Sequence, residues 1–215
     1  MISETIEHEV RIPIGKITLE GTLGIPSTAE GVVLFAHGSG SSRLSPRNTY
    51  VAQVLRQSRV GTLLFDLLTP KEDTTYETRF DIDLLTERLA AATRWLMKAP
   101  ETQSLSIGYF GASTGAAAAL RAAAQLGPMI GAVVSRGGRP DLAREILYQV
   151  KAPTLLIVGG HDPLVIDLNQ ESYDLLTAEK EFVVIPGASH LFEEPGTLEE
   201  VARLAAQWFK RYLHP

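Results

Sequence analysis

The residues of this chain best suited to chemistry fall in three short stretches. The first is Gly111-Ala112-Ser113-Thr114-Gly115, the Gly-x-Ser-x-Gly spacing of a sharp turn that presents a serine hydroxyl. An apolar run from Leu105 to Phe110 precedes it and an Ala-rich run from Ala116 to Leu126 follows, a strand and a helix by pattern. A strand that turns at once into a helix strains its central residue and brings backbones close together. Side chains two residues to either side of Ser113 would collide there, and glycine at both places avoids this. The turn also puts the serine at the positive end of the following helix.

A hydroxyl is a weak nucleophile until a base takes its proton, and the base needs a third group to orient it. Asp162 follows an apolar run ending in Gly159-Gly160, and His190 closes the small-residue loop Pro186-Gly187-Ala188-Ser189. Of the five histidines, His8 falls in an opening hairpin and His214 beside the C-terminus. The side chain of His161 points away from that of its neighbour Asp162. His37 precedes a Gly-rich loop and reads as a brace for it, or as a substrate contact. His190 is left as the base. Asp162 has an alternative duty, capping the helix that begins near Leu164. Acyl transfer also needs N–H donors for a developing oxyanion. The Thr114 amide supplies one, and the loop His37-Gly38-Ser39-Gly40 the other, with Ser39 favoured over Gly38 and Gly40.

The elements that must position these groups are legible in the pattern. Residues 8 to 25 read as a hairpin, and Gly31 to Ala36, Val60 to Leu67, Ile130 to Val134, Thr154 to Val158 and Glu181 to Ile185 as strands. Several are continuous apolar runs, as expected of strands covered on both faces. Ser45-Pro46 opens a helix to about Gln57. Ile82, Leu85, Leu89, Ala92 and Leu96 mark another. Helices are also expected over Asp141 to Val150 and Ile166 to Leu176, and a last one opens at a capping box of Thr197 with Glu200. This alternation predicts a three-layer α/β/α sandwich with a mainly parallel central sheet and an N-terminal antiparallel hairpin, as a single domain over residues 1–215. Functional residues gather beyond the carboxyl ends of such strands, where His37, Asp66, Ser113, Arg136, Asp162 and His190 all fall.

Composition narrows the function classes. The 215 residues carry a net charge of −5 with acids and bases interspersed, and no basic tract suggests nucleic acid or a membrane surface. No apolar run approaches the ~20 residues that span a bilayer. Glu4, Glu7 and Glu9 occupy the N-terminal stretch where a signal peptide would be apolar, so a cytoplasmic location is expected. Without cysteine there is no disulfide, thiolate metal site or cysteine nucleophile. Neither a cofactor nor a metal is expected, and the oligomeric state stays open. The connection from Ser135 to Pro140 is too short for a large lid. Arg43, Arg47, Arg136 and Arg139 fall in loops at the active edge. They either pair with acids such as Asp66 and Asp141 or receive a substrate carboxylate or phosphate. Arg136 is the favoured substrate contact, with His37, Arg43 and Asp66 the other candidates.

The stretches His37-Gly38-Ser39-Gly40, Gly111-Ala112-Ser113-Thr114-Gly115, Gly160-His161-Asp162 and Gly187-Ala188-Ser189-His190-Leu191-Phe192 resemble those of an α/β-hydrolase of the compact dienelactone-hydrolase-related branch. The resemblance covers essentially the whole chain. It implies a Ser113-Asp162-His190 triad, the α/β-hydrolase fold and cleavage of an ester-like bond. One departure is plain: true dienelactone hydrolases use a cysteine nucleophile where this chain has serine. The stretch His37 to Asn48 also resembles hydrolase-like modules fused to, or encoded with, phosphoribosyltransferases. The expected activity is hydrolysis of a small carboxylic ester or lactone through an acyl-enzyme on Ser113. The alternatives are an acyltransferase or perhydrolase with the same triad, or a hydrolase-fold binding or receptor protein with little turnover.

Overall fold

The computed structural model describes residues 5–214. Three runs of β-branched and large apolar residues, Gly31–Ala36 (β3), Val60–Phe65 (β4) and Thr154–Gly159 (β7), are buried at every position, as two-sided strands must be. With Thr5–Ile14 (β1), Ile17–Pro26 (β2), Ser106–Ala112 (β5), Ile130–Arg136 (β6) and Lys180–Ile185 (β8) they form an eight-stranded sheet in the order β1-β2-β4-β3-β5-β6-β7-β8. β1 and β2 form an antiparallel hairpin that turns at Gly15, and β2 runs antiparallel to β4. All the other pairings are parallel.

Pro46–Gln57 (α1) and Thr197–Tyr212 (α5) cover one face through Val51, Leu55, Val201 and Phe209. Ile82–Leu96 (α2) and Thr114–Leu126 (α3) cover the other through Leu85, Leu89 and Leu120. Pro163–Leu175 (α4) completes the set. The expected three-layer α/β/α sandwich with its N-terminal hairpin is the observed architecture. Among the described residues no helix is long and apolar enough to cross a membrane.

The local differences lie near element ends. β5 continues past Phe110 because Gly111 and Ala112 still pair with Ser135 and Arg136. β6 therefore takes in two residues that the sequence assigns to a turn, and Arg136 projects from a strand end. Residues Pro140–Gln149 form 3₁₀ turns kinked at Ala143 instead of an α-helix. The Thr197–Glu200 capping box does not form. Gly196, at φ 84°, precedes α5, the Thr197 hydroxyl donates to the Glu194 carbonyl, and Glu200 pairs with Arg203. Ser45 precedes α1 without a side-chain capping bond. The loop over residues 68–80 holds two short 3₁₀ turns, Glu72–Thr74 and Glu77–Phe80.

Candidate active site

Ser113 stands between β5, at the middle of the sheet, and α3, with φ 50° and ψ −123°. A non-glycine residue held at positive φ stores strain that the surroundings must enforce. Its carbonyl accepts from the Ala116 and Arg139 amides, and its own amide donates to the Arg136 carbonyl. The two glycines are needed for close approach. A Cβ on Gly115 would come within 2.1 Å of the Ala36 carbonyl oxygen, and one on Gly111 within 2.5 Å of the Ala116 Cα.

Asp162 and His190 arrive from β7 and from the loop after β8. The two loops are stitched together along their backbones. Gly160 donates to the Ile185 carbonyl and His161 to the Ala188 carbonyl. A Cβ on Gly159 would meet the Ala188 and Ser189 carbonyl oxygens at 2.5 Å, so only glycine lets these loops touch. The Asp162 Oδ2 lies 2.6 Å from the His190 Nδ1. Asp162 occupies the N-cap position of α4 but makes no capping bond with its side chain. Its carboxylate is committed to the histidine. Glu194, which the sequence reading passed over, accepts the Ser189 amide and so holds the residue before His190.

Ser113, His190, Ser39, Arg47 and Arg136 line one cleft of about 220 Å³ at the carboxyl edge of the sheet. A cavity of about 340 Å³ opens at the opposite edge among Glu30, Arg59 and Lys210, away from these groups. Thr114, as the first residue of α3, has an amide without an intrahelical partner. The Ser39 amide is engaged: it donates to the Thr114 hydroxyl at 3.0 Å.

The four candidate substrate contacts separate into two sets. His37 is buried, with Nδ1 3.0 Å from the Gly38 carbonyl and Nε2 3.0 Å from the Leu67 amide. Both ring nitrogens are used by the backbone, so His37 braces two loops and has none left for a ligand. Burial lowers its pKa. Asp66 accepts the Arg43 amide at 2.8 Å, and the Arg43 side chain lies among Asp66, Glu9 and Glu20. These two are an internal loop clamp and neither lines the cleft. Arg139 pairs with Asp141.

Arg136 is different. It is buried, and Asn48 Oδ1 at 3.2 Å is its side-chain hydrogen-bond partner. Its Nε finds no partner, and among the described residues no ion pair involves it. Burial, and secondarily the charge of Arg47, pushes its pKa down to about 10. Asn48 is a residue that sequence reasoning missed, though a signal existed. It is the one polar side chain on the buried face of α1, beside Val51, Ala52 and Leu55.

The sequence profile of the Dienelactone hydrolase family matches residues 67–214. A crystal structure of dienelactone hydrolase from Anabaena variabilis is 56% identical, covering 98% of this chain and 99% of that one, with a TM-score of 0.96. The chain belongs to the dienelactone hydrolase family. Est1E from Butyrivibrio proteoclasticus superposes with a TM-score of 0.81 over 94% of this chain and 98% of its own, at 15% identity, a likeness of fold alone. A Mycobacterium tuberculosis protein provisionally named a phosphoribosyl transferase is 55% identical over 96% of this chain. This chain spans only 47% of that relative's length.

Proposed function

We propose that this dienelactone hydrolase family member is a serine hydrolase that cleaves a small carboxylic ester or lactone bearing an anionic group. The observation that carries the reading is the 2.6 Å contact between Asp162 Oδ2 and His190 Nδ1, in the cleft where a strained Ser113 is held. With Nδ1–H donating a hydrogen bond to the Asp162 carboxylate, His190 Nε2 is free to take the Ser113 proton as the hydroxyl attacks the carbonyl carbon. The resulting oxyanion is met by the Thr114 amide. The Ser39 amide joins it by sharing or exchanging its bond to the Thr114 hydroxyl. The imidazolium then protonates the leaving alcohol. Water, deprotonated by the same nitrogen, attacks the acyl-enzyme and releases the acid. No cofactor enters these steps.

Arg136 and Arg47 supply the specificity. Two guanidiniums of like charge face one cleft, and the inner one has no carboxylate counterion among the described residues, an arrangement that a substrate carboxylate or phosphate would complete. The transferase name of the mycobacterial relative belongs to a protein of which this chain spans less than half. The residues here support hydrolysis.

A fluorophosphonate probe followed by peptide mass spectrometry tests the nucleophile. One adduct on Ser113, absent from Ser113→Ala and His190→Ala, is expected. A folded wild-type protein that takes no adduct leaves the binding-protein alternative as the better reading. Succinate hemiesters, phosphate-bearing acyl esters and neutral butyrate esters, compared by kcat/KM, then test the anion. Arg136→Met should lower the charged substrates by roughly 10- to 100-fold relative to the neutral one.

A further inference from the structure

Beyond Arg47 a second groove of about 310 Å³ opens, lined by Tyr50, Phe192, Pro195 and Leu198 together with Glu193, Glu194 and Glu199. Arg47 lines both this groove and the Ser113 cleft. We propose that the groove is a second substrate compartment, which takes an uncharged aromatic or aliphatic arm on the alcohol side of the ester. The inference rests on the ester-hydrolase reading and adds the shape of its substrate.

Four observations carry it. First, the two spaces meet at a single side chain. Arg47 reaches Glu193 by one contact at 3.4 Å, and Glu193 is largely exposed. Such a pair is weak and yields at little cost. Second, the charges are segregated. The cleft is lined by two guanidiniums, Arg136 and Arg47, whereas in the groove Arg47 is joined by Glu193, Glu194 and Glu199. An anionic group is therefore drawn inward and kept from the groove, which fixes the direction of a two-part substrate. Third, Phe192 ties the groove to Arg136. Its ring lies 5.9 Å from the Arg136 guanidinium, and it also lines the groove. Fourth, Phe192 is a buried non-glycine residue held at φ 55°, and strain of this kind persists only where the surroundings enforce it. It lies two residues from His190, so one loop carries both this groove residue and the histidine. The groove's size falls at the lower end of ordinary small-molecule sites, enough for a ring and too small for a protein segment.

The test compares methyl and 2-naphthyl hemisuccinate, which share an acyl group and differ only in the arm. The quantity read is the ratio of KM for the naphthyl ester to KM for the methyl ester. Filling the groove with Leu198→Trp should raise this ratio about tenfold, and removing a wall with Tyr50→Ala should raise it severalfold. A ratio unchanged in both variants, with folding verified by circular dichroism, overturns the proposal. Fluorophosphonate labelling of the same variants separates this result from the parent reading. If wild type neither labels nor turns over, the hydrolase reading has failed on its own. Calorimetric binding of 2-naphthol then reads the groove directly: weaker binding in Leu198→Trp supports it, and equal or absent binding sinks it.

Discussion

His37 shows how a residue type that invites a catalytic role can be used up by architecture. Its Nε2 accepts the Leu67 amide proton, so Nδ1 must carry the proton and donate to the Gly38 carbonyl. A protonated ring would set a donor against the Leu67 donor. Burial, the largest influence, lowers the pKa from its ordinary value and outweighs the backbone bond and the carboxylates of Asp66 and Asp73 that raise it. The folded chain thus binds fewer protons at this site than the unfolded chain. Stability rises with pH across the interval between the lowered value and the unfolded value near 6.5, and it is lost as pH falls through that interval. Wild type should therefore melt at a lower temperature at pH 5 than at pH 7, and His37→Gln should show a shallower decline. Parallel melting curves for the two proteins would refute this. Asp162 shows the converse use. It sits where an N-cap would contribute about 1 kcal/mol to α4, and its carboxylate goes to His190 instead.

At the scale of elements, the turn between β5 and α3 concentrates the fold's steric demands. Gly115→Ala would drive a methyl group into the Ala36 and His37 carbonyl oxygens, which belong to the neighbouring strand and its loop. Backbone cannot step aside as a flexible side chain can. The variant is expected to lose more than ~3 kcal/mol, seen as a lowered urea midpoint or as insoluble protein. A midpoint within ~0.5 kcal/mol of wild type would mean that the turn has slack. This demand was legible in the sequence because the glycine spacing and the strand and helix patterns around it are local. The strand ends bearing Asp162 and His190 were legible for the same reason. Pairings made between distant parts of the chain were not. Pairing of Arg43 with Asp66 and of Arg139 with Asp141 was one of the two readings open to these arginines, but nothing near Arg43 announces Glu9 and Glu20, and nothing near Ser39 announces the Thr114 hydroxyl on its amide. Backbone choices closely matched in energy were also hidden. Apolar spacing over 140–149 does not separate an α-helix from kinked 3₁₀ turns. The Thr197–Glu200 pattern fails because Gly196 already precedes the helix at positive φ, which leaves Thr197 inside it.

For the molecule as a whole, Arg136 carries an electrostatic cost that the proposed anionic group would offset. Depressing a guanidinium from its ordinary value to about 10 corresponds to roughly 3 kcal/mol against the charged form, and at neutral pH the group stays charged. Asn48 offsets part of this through one hydrogen bond, and no carboxylate among the described residues offsets the rest. Replacing Arg136 alone would strand the buried Asn48 oxygen, so the informative variant changes both, to Met and Leu. Removing a poorly compensated buried charge with its polar partner is commonly neutral to stabilising. The double variant is therefore expected to melt higher than wild type, by about 2–4 °C for each kcal/mol recovered. The same reasoning makes wild type responsive to anions. Succinate or phosphate at a hundredfold excess over its dissociation constant would add about 2.7 kcal/mol, and the double variant would gain far less. A double variant that melts below wild type would show that Arg136 serves the fold and not a ligand. A higher melting point together with a lost anion response would mean that stability has been given up at this strand end to keep a positive charge beside Ser113.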